Sequence, residues 1–152
     1  MARRALFLDW GGTLARAHDH RTVVDADGNP VPMPGVAETL ARVRPSFDHG
    51  FIVSNQARIA RGEIGAAEVE RRFAWLNERL GHPFDDWRLC PHDDGDGCAC
   101  RKPSPGMFLD LAAAWSLDLP ASTHVGDQDK DRDAAAAAGV GTFVWAKDFF
   151  DW

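Results

Sequence analysis

The hydrophobic residues of the chain fall into short apolar runs that alternate with longer amphipathic segments. The runs predict strands, because they are short, apolar and bounded by glycine or polar residues. The longer segments predict helices, because their apolar residues recur every three or four positions, as Val69, Phe73, Leu76 and Leu80 do before Gly81. Strands are predicted at 5–8, 50–53, 87–90, 123–125 and 142–144, helices from Pro34-Gly35 to just before Pro45 and at 66–80, 105–115 and 131–138, and a hairpin at 22–33 around Asp27-Gly28.

This alternation of strands and helices predicts an α/β fold, with a mainly parallel sheet and helices on both faces. In such sheets, ligands bind beyond the carboxyl ends of the strands. Asp9, Ser54 and Asp127 each follow a predicted strand, and Lys102 lies in the connection between the third and fourth strands. We therefore expect these four side chains to converge on one crevice.

The composition is that of a globular protein. The chain has 152 residues, 45% hydrophobic and 26% charged, so residues 1–152 are expected to form one domain with a full core. The net charge of −6 argues against nonspecific binding to nucleic acid or to anionic membranes. The sequence shows no apolar run of membrane-spanning length and no secretion signal, so a cytoplasmic protein without a membrane partner is expected.

All the cysteines of the chain lie in one short segment together with a histidine. The order is Cys90-x-His92, five residues, then Cys98-x-Cys100. Three thiolates and one imidazole are a ligand set of closed tetrahedral zinc sites. Four protein ligands leave no open position for water, so we expect a structural Zn²⁺. Lys102 follows directly, and the zinc loop is expected to position it.

The predicted crevice combines groups that suit phosphate chemistry. The carboxylates of Asp9 and Asp127 suit Mg²⁺, which keeps several waters and often binds together with a substrate phosphate. Lys102 supplies a compact positive charge for phosphate oxygens, and Ser54 supplies a hydroxyl. A carboxylate such as that of Asp9 attacks phosphorus in some enzymes and forms an aspartyl-phosphate.

These residues stand in motifs that resemble those of the haloacid dehalogenase (HAD) superfamily of phosphotransferases. FLDWGGTL resembles the first motif, with Asp9 as the nucleophile, and IVSNQ resembles the second, with Ser54 binding the phosphoryl group. Lys102 matches the third motif. VGDQDKD resembles the acidic fourth, with Asp127 as a metal ligand and Asp131 as a supporting carboxylate. The resemblance implies a Rossmann-like HAD fold that is minimal and capless, with short inserts and a zinc loop.

The segment CPH…CACRKPSPGM resembles a zinc-containing branch of this superfamily, which includes heptose 1,7-bisphosphate phosphatases and histidinol-phosphate phosphatases. NQARIARG is closer to the heptose enzymes, whereas the five-residue spacer between His92 and Cys98 is closer to the histidinol-phosphate enzymes. Both substrates therefore stay open. Arg101 is placed to clamp a second anionic group bidentately, and Asn55 and Arg61 are further candidates for substrate contacts.

Gly11 departs from the family pattern. The family has an aspartate here, which protonates the leaving alkoxide and then activates the hydrolytic water, and glycine does neither. The Gly11 carbonyl still offers an oxygen to Mg²⁺. General acid–base catalysis is worth about 10²–10⁴-fold, or roughly 3–5 kcal/mol of barrier. Three explanations are compatible with glycine at this position. The phosphatase is weakened, its substrate has a good leaving group, or another residue supplies the acid–base group.

Three functions follow from these motifs. The first is a Mg²⁺-dependent phosphatase of a small phosphorylated metabolite, acting as a monomer. The second is a catalytically impaired protein that binds a phosphorylated ligand or regulates through it. The third is a nucleic-acid 3′-phosphatase, because RKPSPGM also resembles the phosphatase part of polynucleotide kinase-phosphatases, although the net acidity counts against it. The histidines outside the zinc loop, His20 among them, have no clustered partners and are expected to be structural or exposed.

Overall fold

A five-stranded parallel sheet forms the centre of the computed structural model, which describes residues 3–152. Every neighbouring pair of its strands is parallel. No helix within this described range is long and apolar enough to cross a membrane. The strands of the sheet are β1 (Ala5–Leu8), β4 (His49–Asn55), β5 (Asp86–Cys90), β6 (Thr123–Gly126) and β7 (Thr142–Trp145), in the order β5-β4-β1-β6-β7.

Helices cover both faces of this sheet, as predicted. Side chains alternate across a strand, so Leu6 and Leu8 of β1 join one buried cluster, and Ala5 and Phe7 join the other. The first cluster includes residues of α1 and α3, and the second includes residues of α4 and α5. The helices are α1 (Val36–Val43), α2 (Ala57–Ala60), α3 (Ala66–Arg79), α4 (Gly106–Trp115), α5 (Asp129–Ala138) and α6 (Ala146–Phe149).

One strand boundary differs from the prediction in a way that affects the site. β4 continues through Ser54 and Asn55, because these residues pair with Leu89 and Cys90 of β5. The backbone of Ser54 is therefore fixed within the sheet rather than in the loop after it. The four-residue helices α2 and α6 were not predicted.

The hairpin also differs from the prediction. Its two strands are β2 (Ala17–His18) and β3 (Arg21–Thr22), which pair antiparallel around a turn at Asp19 and His20. Both turn residues have positive φ, 49° and 61°. The predicted turn at 27–28 is present, but an isolated bridge between Val24 and Pro30 takes the place of strands around it.

Candidate active site

The carboxyl ends of the central strands border a crevice of about 630 Å³. Asp9 follows β1 in the middle of the sheet, Ser54 lies near the end of β4, and Asp127 follows β6. Lys102 reaches the same crevice from the connection between β5 and α4. The lining also includes the other residues predicted for phosphate and magnesium chemistry, namely Gly11, Asn55, Arg61, Arg101 and Asp131.

Lys102 is the buried cation of this crevice. Its side chain is only 1% exposed, and Nζ lies 3.0 Å from Oδ1 of Asp9, 2.9 Å from the carbonyl oxygen of Val53 and 2.7 Å from Oδ1 of Asp131. Burial lowers the pKa of a lysine, but here the charges of Asp9 and Asp131 outweigh burial and raise the pKa of Lys102. The ammonium group therefore stays charged, which a buried amine achieves only with such partners.

Asn55 fixes the backbone that carries this lysine. Its Oδ1 accepts a hydrogen bond from the N–H of Lys102 at 2.9 Å, and its Nδ2 donates to the carbonyl of Lys102 at 3.1 Å. These two bonds use the amide oxygen and one amide hydrogen. The second amide hydrogen of Asn55 is left to donate to a substrate, and this substrate contact stays a prediction.

Asp131 is fixed by the first turn of α5. Its Oδ2 accepts hydrogen bonds from the N–H groups of Asp127 at 3.1 Å and Gln128 at 3.0 Å, as part of a capping box. Burial raises the pKa of a carboxyl group, but the charge of Lys102 outweighs it and lowers the pKa of Asp131. Asp131 therefore joins the lysine to the loop that carries Asp127.

Two glycines allow the backbone to approach these carboxylates. Gly12 has a φ of +77°, and a Cβ there would lie 3.0 Å from Cγ of Asp127 and closer still to Oδ2. A Cβ at Gly126 would lie within 2.7 Å of Cγ of Asp131. The sequence reasoning did not assign Gly12, although two consecutive glycines after a predicted strand are a signal of such a close approach.

The electrostatics of the crevice suit a divalent cation. Three carboxylates and one ammonium, those of Asp9, Asp127, Asp131 and Lys102, leave two formal negative charges uncompensated, and the carboxylate oxygens lie within 4.8 Å of one another. Burial raises the pKa of Asp127. Burial also raises the pKa of Asp9 well above its usual value; the charge of Lys102 opposes this rise, and the charges of Asp131 and Asp127 add to it. Within residues 3–152 no hydrogen bond ends on the carbonyl of Gly11, so this oxygen is also available. Mg²⁺ prefers such oxygen ligands and would relieve the excess charge.

The cysteine–histidine cluster is compact. The ligand atoms of Cys90, His92, Cys98 and Cys100 lie within 4.8 Å of one another, and all three thiols are free. Ligands on a zinc tetrahedron lie about 3.3–3.8 Å apart; here Sγ of Cys90 lies 3.6 Å from Sγ of Cys98 and 3.4 Å from Nδ1 of His92. The Cys90–Cys100 sulfur pair, at 2.7 Å, is closer than this. Burial raises the pKa of the Cys90 and Cys100 thiols. At Cys98, hydrogen bonds from the backbone N–H of Arg101 and from the other thiols outweigh burial and lower the pKa to about 7. The cluster therefore fits Zn²⁺ in its donor set.

The spacer between His92 and Cys98 of this cluster contacts two arginines of the crevice. Arg61 donates from Nε and Nη2 to the two carboxylate oxygens of Asp93, both at 2.8 Å. Arg101 donates from Nε to Oδ1 of Asp94 at 2.8 Å. Both arginines line the crevice as predicted, but each already has a carboxylate partner.

The β2–β3 hairpin adds crevice residues that the sequence reasoning missed. His20, Arg21 and Thr22 all line the crevice, and Nε1 of Trp10 donates to Oγ1 of Thr22 at 3.0 Å. Nothing in the local pattern marks this hairpin, because segment 17–22 has no alternation of apolar and polar residues. The position of the hairpin at the crevice depends on tertiary contacts such as the hydrogen bond from Trp10 to Thr22.

The fold and the crevice define a class of protein. A parallel sheet that carries an aspartate after its central strand, a buried lysine and a further acidic loop is the arrangement of HAD-type hydrolases. The HAD-hydrolase-like family model matches residues 99–150. A HAD-superfamily hydrolase from Geobacter sulfurreducens, 15% identical, shares the fold over 99% of both chains with a TM-score of 0.61.

The similarity extends to one group of phosphatases. A D-glycero-β-D-manno-heptose-1,7-bisphosphate 7-phosphatase from Rhodopseudomonas palustris is 36% identical over 82% of this chain and 73% of the relative. The Escherichia coli K12 enzyme of the same name is 33% identical over 94% of this chain and 78% of the relative. The structure of D,D-heptose 1,7-bisphosphate phosphatase from Bordetella bronchiseptica, complexed with magnesium and phosphate, matches with a TM-score of 0.80 and 31% identity over 91% and 78% of the two chains. The chain therefore belongs to the HAD superfamily, as a HAD-type phosphatase in the branch of the heptose bisphosphate phosphatases, and the predicted family is confirmed.

Proposed function

We propose that this chain is a Mg²⁺-dependent phosphatase that hydrolyses a phosphomonoester of a small phosphorylated sugar, of the heptose bisphosphate kind, through an aspartyl-phosphate on Asp9. The observation that carries this proposal is the cluster of Asp9, Lys102 and Asp131, which are largely buried, with the exposed Asp127 at the carboxyl ends of β1 and β6. The relatives that act on a heptose bisphosphate, and the magnesium and phosphate bound by one of them, support the substrate class and the metal.

Each residue has a distinct role in this proposal. The Asp9 carboxylate attacks phosphorus as the bond to the sugar oxygen breaks. Lys102 and Ser54 bind phosphate oxygens; Oγ of Ser54 accepts from Nε2 of Gln56 at 2.9 Å, and its own hydrogen has only a long 3.4 Å contact with the carbonyl of Asn55. The hydroxyl is therefore free to donate to phosphate.

The metals have separate roles. When bound by Asp9, Asp127 and the Gly11 carbonyl, Mg²⁺ supplies positive charge that stabilises the phosphoryl group during transfer. Zn²⁺ in the cysteine–histidine cluster is structural and holds the loop before Lys102. Asp131 orients the lysine, and Arg61 and Arg101 receive the rest of the substrate.

Gly11 favours a second candidate, a protein that binds a phosphorylated ligand without turning it over. The glycine removes the carboxylate that completes the reaction in this superfamily, while Lys102, Ser54 and the arginines would still hold a phosphate group. The two candidates make different predictions, because only the phosphatase releases inorganic phosphate.

Phosphate release with Mg²⁺ separates them. Heptose 1,7-bisphosphate, histidinol phosphate and an acyl phosphate are offered to the wild-type protein and to Asp9→Asn, which keeps the shape of the side chain but removes the nucleophile. We expect release from the heptose bisphosphate by the wild type and none by Asp9→Asn. Tight binding of these compounds by the wild type without phosphate release would reject the phosphatase and establish the second candidate.

A further inference from the structure

The β2–β3 hairpin contacts two other segments that line the active-site crevice. Thr22 accepts the hydrogen bond of Trp10, the residue that follows Asp9. Nη2 of Arg21 lies 3.7 Å from Oε1 of Glu63, which also lines the crevice. The turn of this hairpin carries His20, an exposed residue, in the lining of the crevice.

The base of the hairpin lies next to Gly11. A Cβ on Gly11 would lie 3.4 Å from Cβ of Ala17, at the start of β2, which is ordinary van der Waals contact. The position of the side chain that is missing at Gly11 therefore borders the hairpin, whose turn carries an imidazole. The positive φ of His20, 61°, is uncommon for a residue other than glycine, although histidine is enriched there.

Few side chains of the crevice are free to exchange a proton. His20 is the only imidazole in the lining as the structure describes it, and its ring takes part in no hydrogen bond or ion pair within residues 3–152. Imidazoles act as general acids and bases near neutral pH. Three carboxylates of the lining are paired with cations: Glu63 with Arg21 and Arg58, Asp94 with Arg101, and Asp131 with Lys102. Asp9 and Asp127 are the nucleophile and the metal ligand of the proposed function.

We propose that His20 is the general acid–base of this enzyme and replaces the carboxylate that Gly11 lacks. This inference rests on the phosphatase function proposed above. As Asp9 attacks phosphorus and the bond from phosphorus to the sugar oxygen breaks, the imidazolium of His20 gives its proton to that oxygen, and the sugar leaves as an alcohol. The neutral imidazole then takes a proton from the water that attacks the aspartyl-phosphate. The bond from phosphorus to Asp9 breaks, inorganic phosphate leaves, and His20 is again protonated.

The first test replaces His20 by glutamine and uses two leaving groups. We expect His20→Gln to lower kcat for the sugar phosphate about 10²-fold, within the range of general acid catalysis. The burst of nitrophenolate from 4-nitrophenyl phosphate should change less than threefold, because that leaving group needs no proton. His18→Gln is the matched control, since His18 lies on the same hairpin but not in the crevice lining. A purely structural role for His20 would lower both rates together.

The second test uses the space beside Gly11. In the His20→Gln background, Gly11→Asp should restore turnover of the sugar phosphate to within about tenfold of the wild type, and this gain should be at least tenfold larger than the effect of Gly11→Asp in the wild-type background. Full activity of His20→Gln, or equal effects of Gly11→Asp in both backgrounds, would overturn the role of His20 and leave the phosphatase function standing. Absence of turnover in the wild type would overturn both proposals.

Discussion

Gly12 tests whether Asp127 must occupy its observed position. Gly12→Ala introduces two changes: alanine at a φ of +77°, and a Cβ at 3.0 Å from Cγ of Asp127. Gly139→Ala introduces only the first, because Gly139 has a φ of +82° as the C-cap of α5 and an added Cβ meets nothing within 4 Å. The pair of variants therefore separates backbone strain from the collision with the carboxylate.

The expected magnitudes follow from these distances. Alanine in the left-handed region costs about 1–2 kcal/mol, so both variants should lower the melting temperature by about 2–8 °C. Carbon atoms pack at about 3.5–4.0 Å, so in Gly12→Ala the Asp127 carboxylate must move by up to about 1 Å. A displacement of that size in an active site costs about 10²-fold in rate.

Three measurements check this reasoning. Thermal unfolding measures the strain, and kcat/KM for the heptose bisphosphate together with Mg²⁺ titration by calorimetry measures the displacement. Gly12→Ala should lose about 10²-fold in kcat/KM and bind Mg²⁺ more weakly, whereas Gly139→Ala should keep both values within threefold. If Gly12→Ala unfolds at a lower temperature but keeps its Mg²⁺ affinity and kcat/KM, Asp127 is not held as a metal ligand and the assignment fails.

Three further predictions concern His124, Asn55 and Cys98. Burial lowers the pKa of His124 to about 3. Below about pH 6.5 the unfolded chain therefore binds a proton at this residue that the folded protein does not bind. The free energy of unfolding should fall by about 1.4 kcal/mol for each unit by which the pH is lowered. His124→Asn keeps a donor for the carbonyl of Phe7 and should reduce this slope in urea unfolding at pH 7, 6 and 5; an unchanged slope would contradict it. Asn55→Ala breaks both bonds to the Lys102 backbone and should lower the free energy of unfolding by about 1–3 kcal/mol, with a loss of kcat larger than the rise in KM. Cys98→Ser should lower the zinc content found by elemental analysis and the melting temperature; full zinc content would exclude Cys98 as a ligand.

The parts of the fold that the sequence predicted are those that local periodicity determines. β1 was placed correctly because four apolar residues precede a polar turn, and both faces of a central strand are buried. α3 was placed within one residue because its apolar stripe ends at a glycine. The convergence of Asp9, Ser54, Lys102 and Asp127 was predicted from topology, since the carboxyl ends of parallel strands share one edge.

The parts that the sequence did not predict depend on contacts between distant segments. β4 extends over polar residues because β5 pairs with them, and no local pattern shows this. The β2–β3 turn uses Asp19 and His20 at positive φ, where a hairpin turn is expected to show Asn-Gly or Asp-Gly. The ion pair of Arg61 with Asp93, 32 residues apart, joins the end of α2 to the zinc loop. His20 was expected to be structural or exposed, and it is exposed; its place in the crevice lining follows from the tertiary position of the hairpin.

The zinc loop bears on the choice between the two substrates that the motifs left open. Arg61 and Arg101 face the crevice, but Asp93 and Asp94 already occupy them. The Arg61 side chain is 51% exposed, and pairs of that kind are worth about 0–1 kcal/mol, so a dianionic phosphate would displace Asp93 at little cost. The second phosphate of a sugar bisphosphate would therefore form ion pairs with Arg61 and Arg101 when the substrate binds. The imidazole and amine of histidinol phosphate gain nothing from the arginines and would have to compete with them for the aspartates. We therefore expect a substrate with two phosphate groups to bind more tightly than histidinol phosphate, even though the length of the spacer is closer to the histidinol-phosphate enzymes.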